Sequence, residues 1–257
     1  MMKNEQDITV MKRYELKFHL SKEQLAIFQE KIANHMHIDE YGLTTIASLY
    51  YDTSDYRLIN RSIEKPKYKE KVRLRSYGLA KENTKTFLEV KRKCEGVVYK
   101  RRISLLESEA MAFFKGESIN KTQIGRELDA VREQYGYLEP KYLIIYDRIA
   151  YYQDDSDLRI TLDINPRYRT TDLNLHTSME GTPLLKEGEA ILEIKIQNSI
   201  PLWLTEILSQ EKIYKTSFSK VGTAHKKECC NWTNRINVCP SLIKTKNTGG
   251  MKHEFAI

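Results

Sequence analysis

The sequence lacks any long apolar run. No segment approaches the roughly 18 to 20 uninterrupted apolar residues that a membrane-spanning helix needs. The first seven residues, MMKNEQD, are polar where a signal peptide would have its apolar centre. We therefore expect a cytoplasmic protein with no membrane segment of its own.

Cysteine is scarce as well. The four cysteines, Cys94, Cys229, Cys230 and Cys239, form neither a CxxC pair nor a zinc-site spacing, so free thiols in a reducing compartment fit them best. The sequence also shows no internal repeat, no low-complexity tract and no regular βαβ rhythm. A Ser, Cys or His arrangement for nucleophilic catalysis is missing too, which excludes the commonest covalent mechanisms.

What the chain has is length and charge. Its 257 residues, 40% of them hydrophobic, suffice for a substantial core. The 42 Lys and Arg exceed the 35 Asp and Glu, which gives a net charge of +7. A moderate basic excess indicates either a polyanionic partner or simply a soluble surface, so the positions of the charges must decide between them.

Eight segments alternate apolar and polar residues with the period of half-buried strands. They cover residues 12–20, 45–52, 67–77, 86–93, 97–104, 141–152, 158–164 and 190–197. Eight strands are enough to close a barrel.

Helix signals lie between these segments. Ser21 and Gln24 form a capping-box pattern ahead of an apolar stripe, and Pro201 occupies the position of a first helical residue. Further helices are expected at 106–115, at 122–135 after Thr122, and at 218–228. Elements mixed in this way predict an α+β fold, a largely antiparallel, eight-stranded β-barrel with flanking helices.

The segment KYKEKVRLR places five cations at alternate positions, and on a strand these share one face. They are Lys67, Lys69, Lys71, Arg73 and Arg75. Because edge strands often carry lysines toward solvent, this segment alone leaves open whether the face is internal or solvated.

Other strands repeat this arrangement, with one apolar face and one ionised face. The ionised faces consist of Glu15, Lys17 and His19; of Glu89, Lys91 and Lys93; of Lys100 and Arg102; of Arg159, Thr161 and Asp163; and of Glu193 and Lys195. If the apolar faces pack under helices, the ionised faces must point into a barrel or out to water. An internal ring of cations is too costly to desolvate unless water and anions fill it, so such a barrel needs a polyanion.

The residue types fit a phosphate ligand. Arg binds phosphate oxygens in pairs and Lys supplies compact charge, while one or two glutamates suffice to hold Mg²⁺ or Mn²⁺ when phosphate oxygens and waters complete the shell. The alternative is that each Glu simply pairs with a neighbouring Lys, as the EVK and EIK motifs allow.

Nine segments, in order, resemble the catalytic domain of the vacuolar transporter chaperone (VTC) family, which belongs to the triphosphate tunnel, or CYTH-like, superfamily. They are RYELKF (13–18), YYDTSD (50–55), KVRLRSYG (71–78), FLEVKRK (87–93), YKRRISL (99–105), YDRIAYY (146–152), LRITLD (158–163), ILEIKI (191–196) and SFSKVG (217–222). The resemblance covers residues 9–228, and we expect 229–257 to form a poorly ordered extension.

The resemblance implies a polyphosphate polymerase that transfers the γ-phosphoryl group of ATP to a growing polyphosphate or pyrophosphate acceptor, with Mn²⁺ or Mg²⁺ as cofactor. The phosphate-binding residues that it implies are Lys17, Arg73, Arg75, Lys91, Lys100, Arg148, Arg159 and Lys220. The catalytic residues would be Lys220, Glu193, Arg73 and Arg75. Glu193 would be the main metal ligand, and Glu15 and Glu89 would either support the metal or orient the lysines.

The chain resembles the free-standing VTC domains of prokaryotes more than the eukaryotic polymerases, which add an inositol-phosphate-sensing domain and membrane helices. Export of the polymer would then depend on a separate membrane partner. We interpret His19 as structural. Two roles are open for Tyr50 and Tyr51, either shaping the nucleotide entrance together with Asp52 or packing in the core, and we favour the core for the tyrosines.

Two other functions stay open. A triphosphatase of the same superfamily would use the same face with water as acceptor, and the acceptor is not a residue. A non-catalytic binder of polyphosphate or nucleic acid would need only the basic faces. Nucleic-acid binding predicts aromatic residues among the cations, but Tyr68 lies on the opposite face of its strand, so no nucleic-acid partner is expected.

Overall fold

The computed structural model describes residues 14–64, 66–95, 97–119, 122–154 and 156–236, with the side chains of 231–236 excepted. Contacts divide the chain into two units, residues 1–224 and 225–257. The first unit contains every strand of the described ranges; the second is described only as the remainder of the last helix. Residues 237–257, most of the expected extension, lie outside the described residues.

Ten strands and six helices form within these ranges. The strands are β1 (Tyr14–Leu20), β2 (His37–Asp52), β3 (Tyr68–Tyr77), β4 (Lys85–Cys94), β5 (Val97–Leu106), β6 (Glu139–Tyr152), β7 (Arg159–Arg169), β8 (Thr182–Pro183), β9 (Ala190–Ile196) and β10 (Lys215–Thr216). The helices are α1 (Lys22–Ile32), α2 (Arg57–Glu64), α3 (Glu107–Phe114), α4 (Gln123–Tyr135), α5 (Leu202–Gln210) and α6 (Lys220–Ile236). None of these helices is long and apolar enough to cross a membrane.

The helix ends follow the capping signals. The predicted capping box is confirmed, since the Gln24 N–H donates to Ser21 Oγ at 3.2 Å and the Ser21 N–H donates to Gln24 Oε1 at 3.0 Å. The Thr122 hydroxyl accepts from a first-turn N–H of α4 at 3.0 Å. Pro201 was expected inside its helix and is instead the N-cap, in an extended conformation just before α5.

Helix α2 was not predicted from the sequence. It is capped from a distance by the buried Asp52 carboxylate, which accepts from the N–H groups of Leu58 at 2.9 Å and Ile59 at 2.8 Å. This arrangement satisfies two of the unpaired N–H groups at the helix start, but the acceptor precedes its first donor by six positions, and capping rules consider only nearer residues.

All strand pairs are antiparallel, as predicted, and they form one sheet in the order β10-β1-β9-β7-β6-β2-β3-β4-β5, with β8 beside β7. The α+β class is therefore confirmed. The prediction of a closed eight-stranded barrel is corrected, because among the described residues the edge strands β5 and β10 do not pair with each other.

Side chains nevertheless bring the two sides of this sheet together. β1 and β4 are six places apart in the strand order, which in a flat sheet would separate them by about 29 Å at ~4.8 Å per strand. Yet Lys91 Nζ on β4 lies 3.1 Å from Glu15 Oε2 on β1. The sheet must therefore curl around a common interior, helped by register shifts in the β2–β6 and β6–β7 pairs that bend the strands.

Three apolar clusters fix this curl. One lies under α3 and α4 on the outer face of β2 to β4, and includes Leu49, Leu74, Leu88, Phe113 and Leu128. The second packs α1 and α5 on β1, β7 and β9, and includes Phe28, Leu162, Leu192, Ile194 and Leu204. The third packs α2 and the start of α6 against the concave face of β2 and β6, and includes Ile46, Ile59, Tyr142, Ile144 and Val221. Burial of each such side chain contributes about 1.5–3 kcal/mol.

Candidate active site

The ionised faces predicted from alternation all point to the concave side of the sheet. Directly opposite residues of antiparallel strands share a face. The register pairs Lys17 with Glu193 and Glu193 with Thr161 on one side. On the other side it pairs Arg73 with Glu89. With the β1–β4 ion pair between Glu15 and Lys91, these pairs place two groups of charges around one interior.

The first group, which we call the Glu193 cluster, has Glu193 at its centre. This carboxylate is only 6% exposed. Lys17 Nζ lies 2.9 Å from Glu193 Oε1, Lys195 Nζ lies 3.1 Å from Oε2, and Arg148 and Lys220 lie at 3.7 and 4.0 Å. Burial raises the pKa of Glu193, but the ammonium groups of Lys195 and Lys17 outweigh burial and hold that pKa well below its usual range.

Asp163 is the second carboxylate of this cluster and is completely buried. Arg148 binds it with two hydrogen bonds of 2.6 and 2.8 Å, and Lys220 Nζ donates to the same carboxylate. Burial raises the pKa of Asp163, but Lys220 and Arg148 lower it by more. Asp163 thus fixes the two cations that border Glu193.

The Glu193 cluster is completed on β1 and β4. Glu15, its third carboxylate, lies 3.5 Å from Lys17 Nζ and 3.1 Å from Lys91 Nζ. Burial raises the pKa of Glu15, but the positive charge of Lys91 and of the neighbouring lysines outweighs burial and holds that pKa below its usual value. Burial lowers the pKa of Lys17, but Glu193 and Glu15 raise it above its usual range, so Lys17 stays charged.

The second group, the Glu89 cluster, has a single carboxylate. Glu89 is 1% exposed and receives hydrogen bonds from Arg73 Nε at 2.7 Å and from Arg102 Nε at 2.6 Å. Lys100 Nζ lies 2.8 Å away and Arg75 lies 3.9 Å away. Burial raises the pKa of Glu89, but Arg73 and Arg75 lower it far below its usual range. Burial lowers the pKa of Lys100 to about 8, despite the opposing effect of Glu89.

Polar groups connect the two clusters. Arg73 donates to the Tyr50 hydroxyl at 3.0 Å, and Lys71 Nζ donates to Ser219 Oγ at 2.9 Å. Burial raises the pKa of Tyr50, but Arg73 and Lys71 lower it to about 7. Burial lowers the pKa of Lys71 to about 8, since the neighbouring cations outweigh Tyr50. No carboxylate of the described ranges lies within 4.0 Å of Lys71 Nζ.

Lys220 and Ser219 occupy the start of α6. Ser219 Oγ accepts from the Gly222 N–H at 3.2 Å, as an N-cap does, which explains why the helix begins at Lys220. The N-terminus of a helix carries partial positive charge. It adds to the cations that face the interior.

Arg159 is the predicted phosphate ligand that lies outside both clusters. It begins β7 opposite Lys195, is exposed, and donates to the carbonyls of Ser156 and Leu158 at 3.2 and 3.0 Å. It shares the concave face with Thr161 but lies at the end of the strand. Every other predicted cation belongs to one of the two clusters. These cations are Lys17, Arg73, Arg75, Lys91, Lys100, Arg148 and Lys220.

Positive charge dominates this interior. Among the described residues, and leaving aside Arg159 at the strand end, ten cationic side chains line it against four carboxylates, Glu15, Glu89, Asp163 and Glu193. The cations are Lys17, Lys71, Arg73, Arg75, Lys91, Lys100, Arg102, Arg148, Lys195 and Lys220. An excess of six charges in a partly desolvated interior is stable only with counter-anions, which the interior is therefore built to hold.

The donors also fit a hard divalent cation, within limits. Among the described residues no group of three or more acidic, His or Cys side chains is arranged to hold a metal. Glu193 supplies carboxylate oxygen, and the buried Thr161 hydroxyl opposite it has no hydrogen-bond partner in the described part of the chain. Glu15 and Asp163 lie close enough to Glu193 for its charge to raise their pKa values. Such a set fits Mg²⁺ or Mn²⁺, which accept phosphate and water as remaining ligands.

Several residues of this interior were not predicted as site residues. Asp163, Lys71 and Lys195 share strand parity with predicted ones, and that parity alone could have selected them. Tyr146 shares parity with Arg148, and its hydroxyl accepts from Arg75 Nη2 at 3.2 Å. Ser219 precedes the predicted Lys220 and gives no separate signal in the sequence.

Comparisons with known proteins agree with this architecture. The VTC domain family model matches residues 12–227. No curated protein matches significantly. A solved structure from Hippeastrum, described as a candidate adenylyl cyclase with a dominant triphosphatase activity, is similar with a TM-score of 0.52 and 17% identity, covering 83% of this chain and 95% of that one. A candidate adenylate cyclase from Bacillus halodurans gives a TM-score of 0.48 and 16% identity, covering 81% and 96%.

Proposed function

We propose, from the premise that this chain belongs to the VTC domain family, that it is an ATP-polyphosphate phosphotransferase. The observation that carries the proposal is the interior with ten cations and four carboxylates, whose excess of positive charge favours polyanionic ligands such as a triphosphate and a polyphosphate chain. We assign this activity to a domain over residues 9–228 acting in the cytoplasm, with a separate membrane partner for any export.

The two clusters suit different parts of the reactants. In the Glu89 cluster, Arg73 and Arg75 present guanidinium groups whose geometry suits bidentate binding of phosphate oxygens. Lys71 and Lys220 lie further along the interior, next to Ser219 and the Glu193 cluster. We therefore place the reacting γ-phosphate between Lys71 and Lys220, with the polyphosphate acceptor approaching from the side of Glu193.

Positioning and charge stabilisation account for the catalysis. Phosphoryl transfer spreads charge over the oxygens of the transferring group, and fixed cations stabilise that charge without a covalent intermediate. Asp163 holds Arg148 and Lys220 in place for this role. Glu193, with support from Glu15, would hold Mn²⁺ or Mg²⁺, and the ion would supply positive charge against the negative charge that develops on the phosphates.

The second candidate function is a triphosphatase that uses water as acceptor. The triphosphatase activity described for the similar Hippeastrum protein favours this candidate, since the two chains share a fold. The two reactions differ only in what occupies the acceptor end of the interior.

The test is to incubate purified protein with ATP and either Mn²⁺ or Mg²⁺, with and without pyrophosphate, and to resolve the products on a gel stained for polyphosphate. The proposal predicts a ladder of polymer that the Glu193→Gln variant does not form. Release of free phosphate without polymer would replace the proposal with the triphosphatase. Neither product under either metal would leave a non-catalytic polyanion binder.

A further inference from the structure

A stacked group of side chains lies at one end of the charged interior. The Arg102 guanidinium lies over the Phe87 ring, 4.1 Å from its centroid, and donates to the Tyr77 hydroxyl at 2.8 Å. The Tyr77 and Phe87 rings meet edge to face with centroids 5.6 Å apart. Glu89 binds Arg102 from the other side. The guanidinium plane is therefore fixed by three contacts, and we call these side chains the Tyr77 platform.

The Tyr77 platform continues the row of phosphate-binding cations. On β3 the concave face reads Tyr77, Arg75, Arg73 and Lys71 at alternate positions, and on β4 Phe87 is the register partner of Arg75. The four residue-to-residue steps from Tyr77 to Arg73 span about 13 Å of strand. The aromatic rings of Tyr77 and Phe87 thus lie at one end of this row of cations, next to the Glu89 cluster.

Exposure changes along this row. Tyr77 is 44% exposed and the Arg102 side chain 32%, whereas Arg75 is only 7% exposed. A planar group can therefore reach the platform from solvent while a charged chain extends inward. The buried cations of the row suit phosphate groups. A chain of phosphates alone would gain nothing from a guanidinium stacked on aromatic rings, whereas a planar base would.

From this arrangement we propose that the Tyr77 platform binds the base of a nucleoside triphosphate by stacking, with the triphosphate extending over Arg75 and Arg73. Bases stack on aromatic rings and on guanidinium planes alike. The inference rests on the proposed function and deepens it, because it assigns the side chains that bind the base of the ATP donor and so distinguish ATP from inorganic tripolyphosphate.

A single nucleotide fits this site better than a polynucleotide. Proteins that bind single strands offer successive stacking residues along a basic groove. Here the stacking residues sit at one end, and the cations beyond them are buried, with the Arg73 side chain 16% exposed. This arrangement accommodates a single base followed by its phosphates.

The experiment compares ATP with tripolyphosphate in binding measurements by calorimetry, with EDTA present so that turnover does not interfere. The variants are Tyr77→Ala and Tyr77→Phe, and the matched control is Tyr137→Ala, a tyrosine that is 72% exposed between α4 and β6. We expect Tyr77→Ala to weaken ATP binding about tenfold or more, since loss of one base–aromatic stack has an effect of that order. Tyr77→Ala should weaken tripolyphosphate binding less than it weakens ATP binding. Tyr77→Phe keeps the ring but loses the hydroxyl that accepts from Arg102, so it should weaken ATP binding less than Tyr77→Ala does. Tyr137→Ala should bind both ligands like the wild type.

Equal effects of Tyr77→Ala on both ligands, or no effect on ATP, would overturn the inference. So would a wild type that binds no ATP. Tighter binding of oligoadenylate than of ATP, lost in Tyr77→Ala, would assign the platform to a polynucleotide instead. These outcomes are independent of the polymer gel: a selective loss of ATP affinity without any polymer would retain the base site and reject the phosphotransferase.

Discussion

The Glu193 cluster and the Glu89 cluster lie in the same interior but differ in charge balance. The Glu193 cluster has three carboxylates for five cations, whereas the Glu89 cluster has one carboxylate for four. The cluster with three carboxylates suits a site that must accept both a divalent cation and an anion. The cluster with a single carboxylate suits phosphate alone.

The contacts of the two central glutamates support this distinction. Glu89 accepts on both oxygens from the guanidinium groups of Arg73 and Arg102, so a metal would have to displace cations on every side. Between the two roles expected for Glu89, the geometry favours orientation of the cations. Glu193 is also contacted on both oxygens, by Lys17 and Lys195. It differs from Glu89 in having two further carboxylates nearby and, opposite it, a Thr161 hydroxyl with no hydrogen-bond partner among the described residues, and these extra oxygens make it the better metal ligand.

The largest expected effect therefore separates these two glutamates. Glu193→Gln should lower kcat about 1,000-fold, because it removes the proposed metal ligand from the site of charge development. Glu89→Gln should mainly raise KM, since Arg73 and Arg102 lose their orientation but not their charge. Steady-state kinetics with ATP checks both, with thermal melts to control for folding. If Glu89→Gln lowers kcat as much as Glu193→Gln, the division between the clusters is wrong.

The next effect concerns stability. Asp163→Asn should reduce the free energy of unfolding by about 3 kcal/mol, because Arg148 and Lys220 lose a buried partner. Urea denaturation measures the loss. Tripolyphosphate should stabilise this variant more than the wild type, since the unpaired cations then gain a phosphate.

A matched control for that effect is Asp147→Asn, because Asp147 lies on the opposite face of the same sheet and binds Thr45 and Arg167. It should not gain extra stabilisation from tripolyphosphate. Unchanged stability of Asp163→Asn would show that the buried pair is not formed.

The smallest effect is a release or uptake of protons on binding. The pKa values of Lys71 and Lys100 are lowered to about 8, and that of Tyr50 to about 7. A bound polyanion raises all three pKa values, so binding at pH 8.5 should take up about one proton or more, and binding at pH 6 almost none. Calorimetry in buffers of different ionisation enthalpy measures the uptake.

Lys71→Arg provides the control for this effect, because an arginine stays charged throughout that pH range. It should reduce the uptake at pH 8.5. Proton release by the wild type at that pH would contradict the sign of the shifts.

Strand alternation in the sequence was sufficient to predict the inner face and most of its charges. It placed Glu15 with Lys17 and Glu193 with Lys195, and these side chains do meet on the concave side. The idea that each Glu pairs with its neighbouring Lys holds for Glu193 and Lys195, whereas Lys91 reaches across the interior to Glu15. Local pattern cannot predict such a cross-sheet partner, because it depends on how far the sheet curls.

Other features were hidden for related reasons. The closure of the interior by side chains, and not by a hydrogen-bonded barrel, depends on bulges in β2 and β6 that alternation does not reveal. Tyr50 was expected in the core and is indeed 8% exposed, but its hydroxyl also binds Arg73. In the sequence Asp163 is one of many polar strand residues. Its role depends on Arg148 and Lys220, which belong to other elements and which local pattern cannot place beside it.

The most direct test of the division between the clusters measures two ligands on two variants. Mn²⁺ binding in the presence of tripolyphosphate is followed by electron paramagnetic resonance, and tripolyphosphate binding without metal by calorimetry, for Glu193→Gln and Arg73→Gln. We predict that Glu193→Gln loses Mn²⁺ but keeps tripolyphosphate, and that Arg73→Gln weakens tripolyphosphate at least several-fold in the absence of metal. Equal loss of both ligands in both variants would contradict the account.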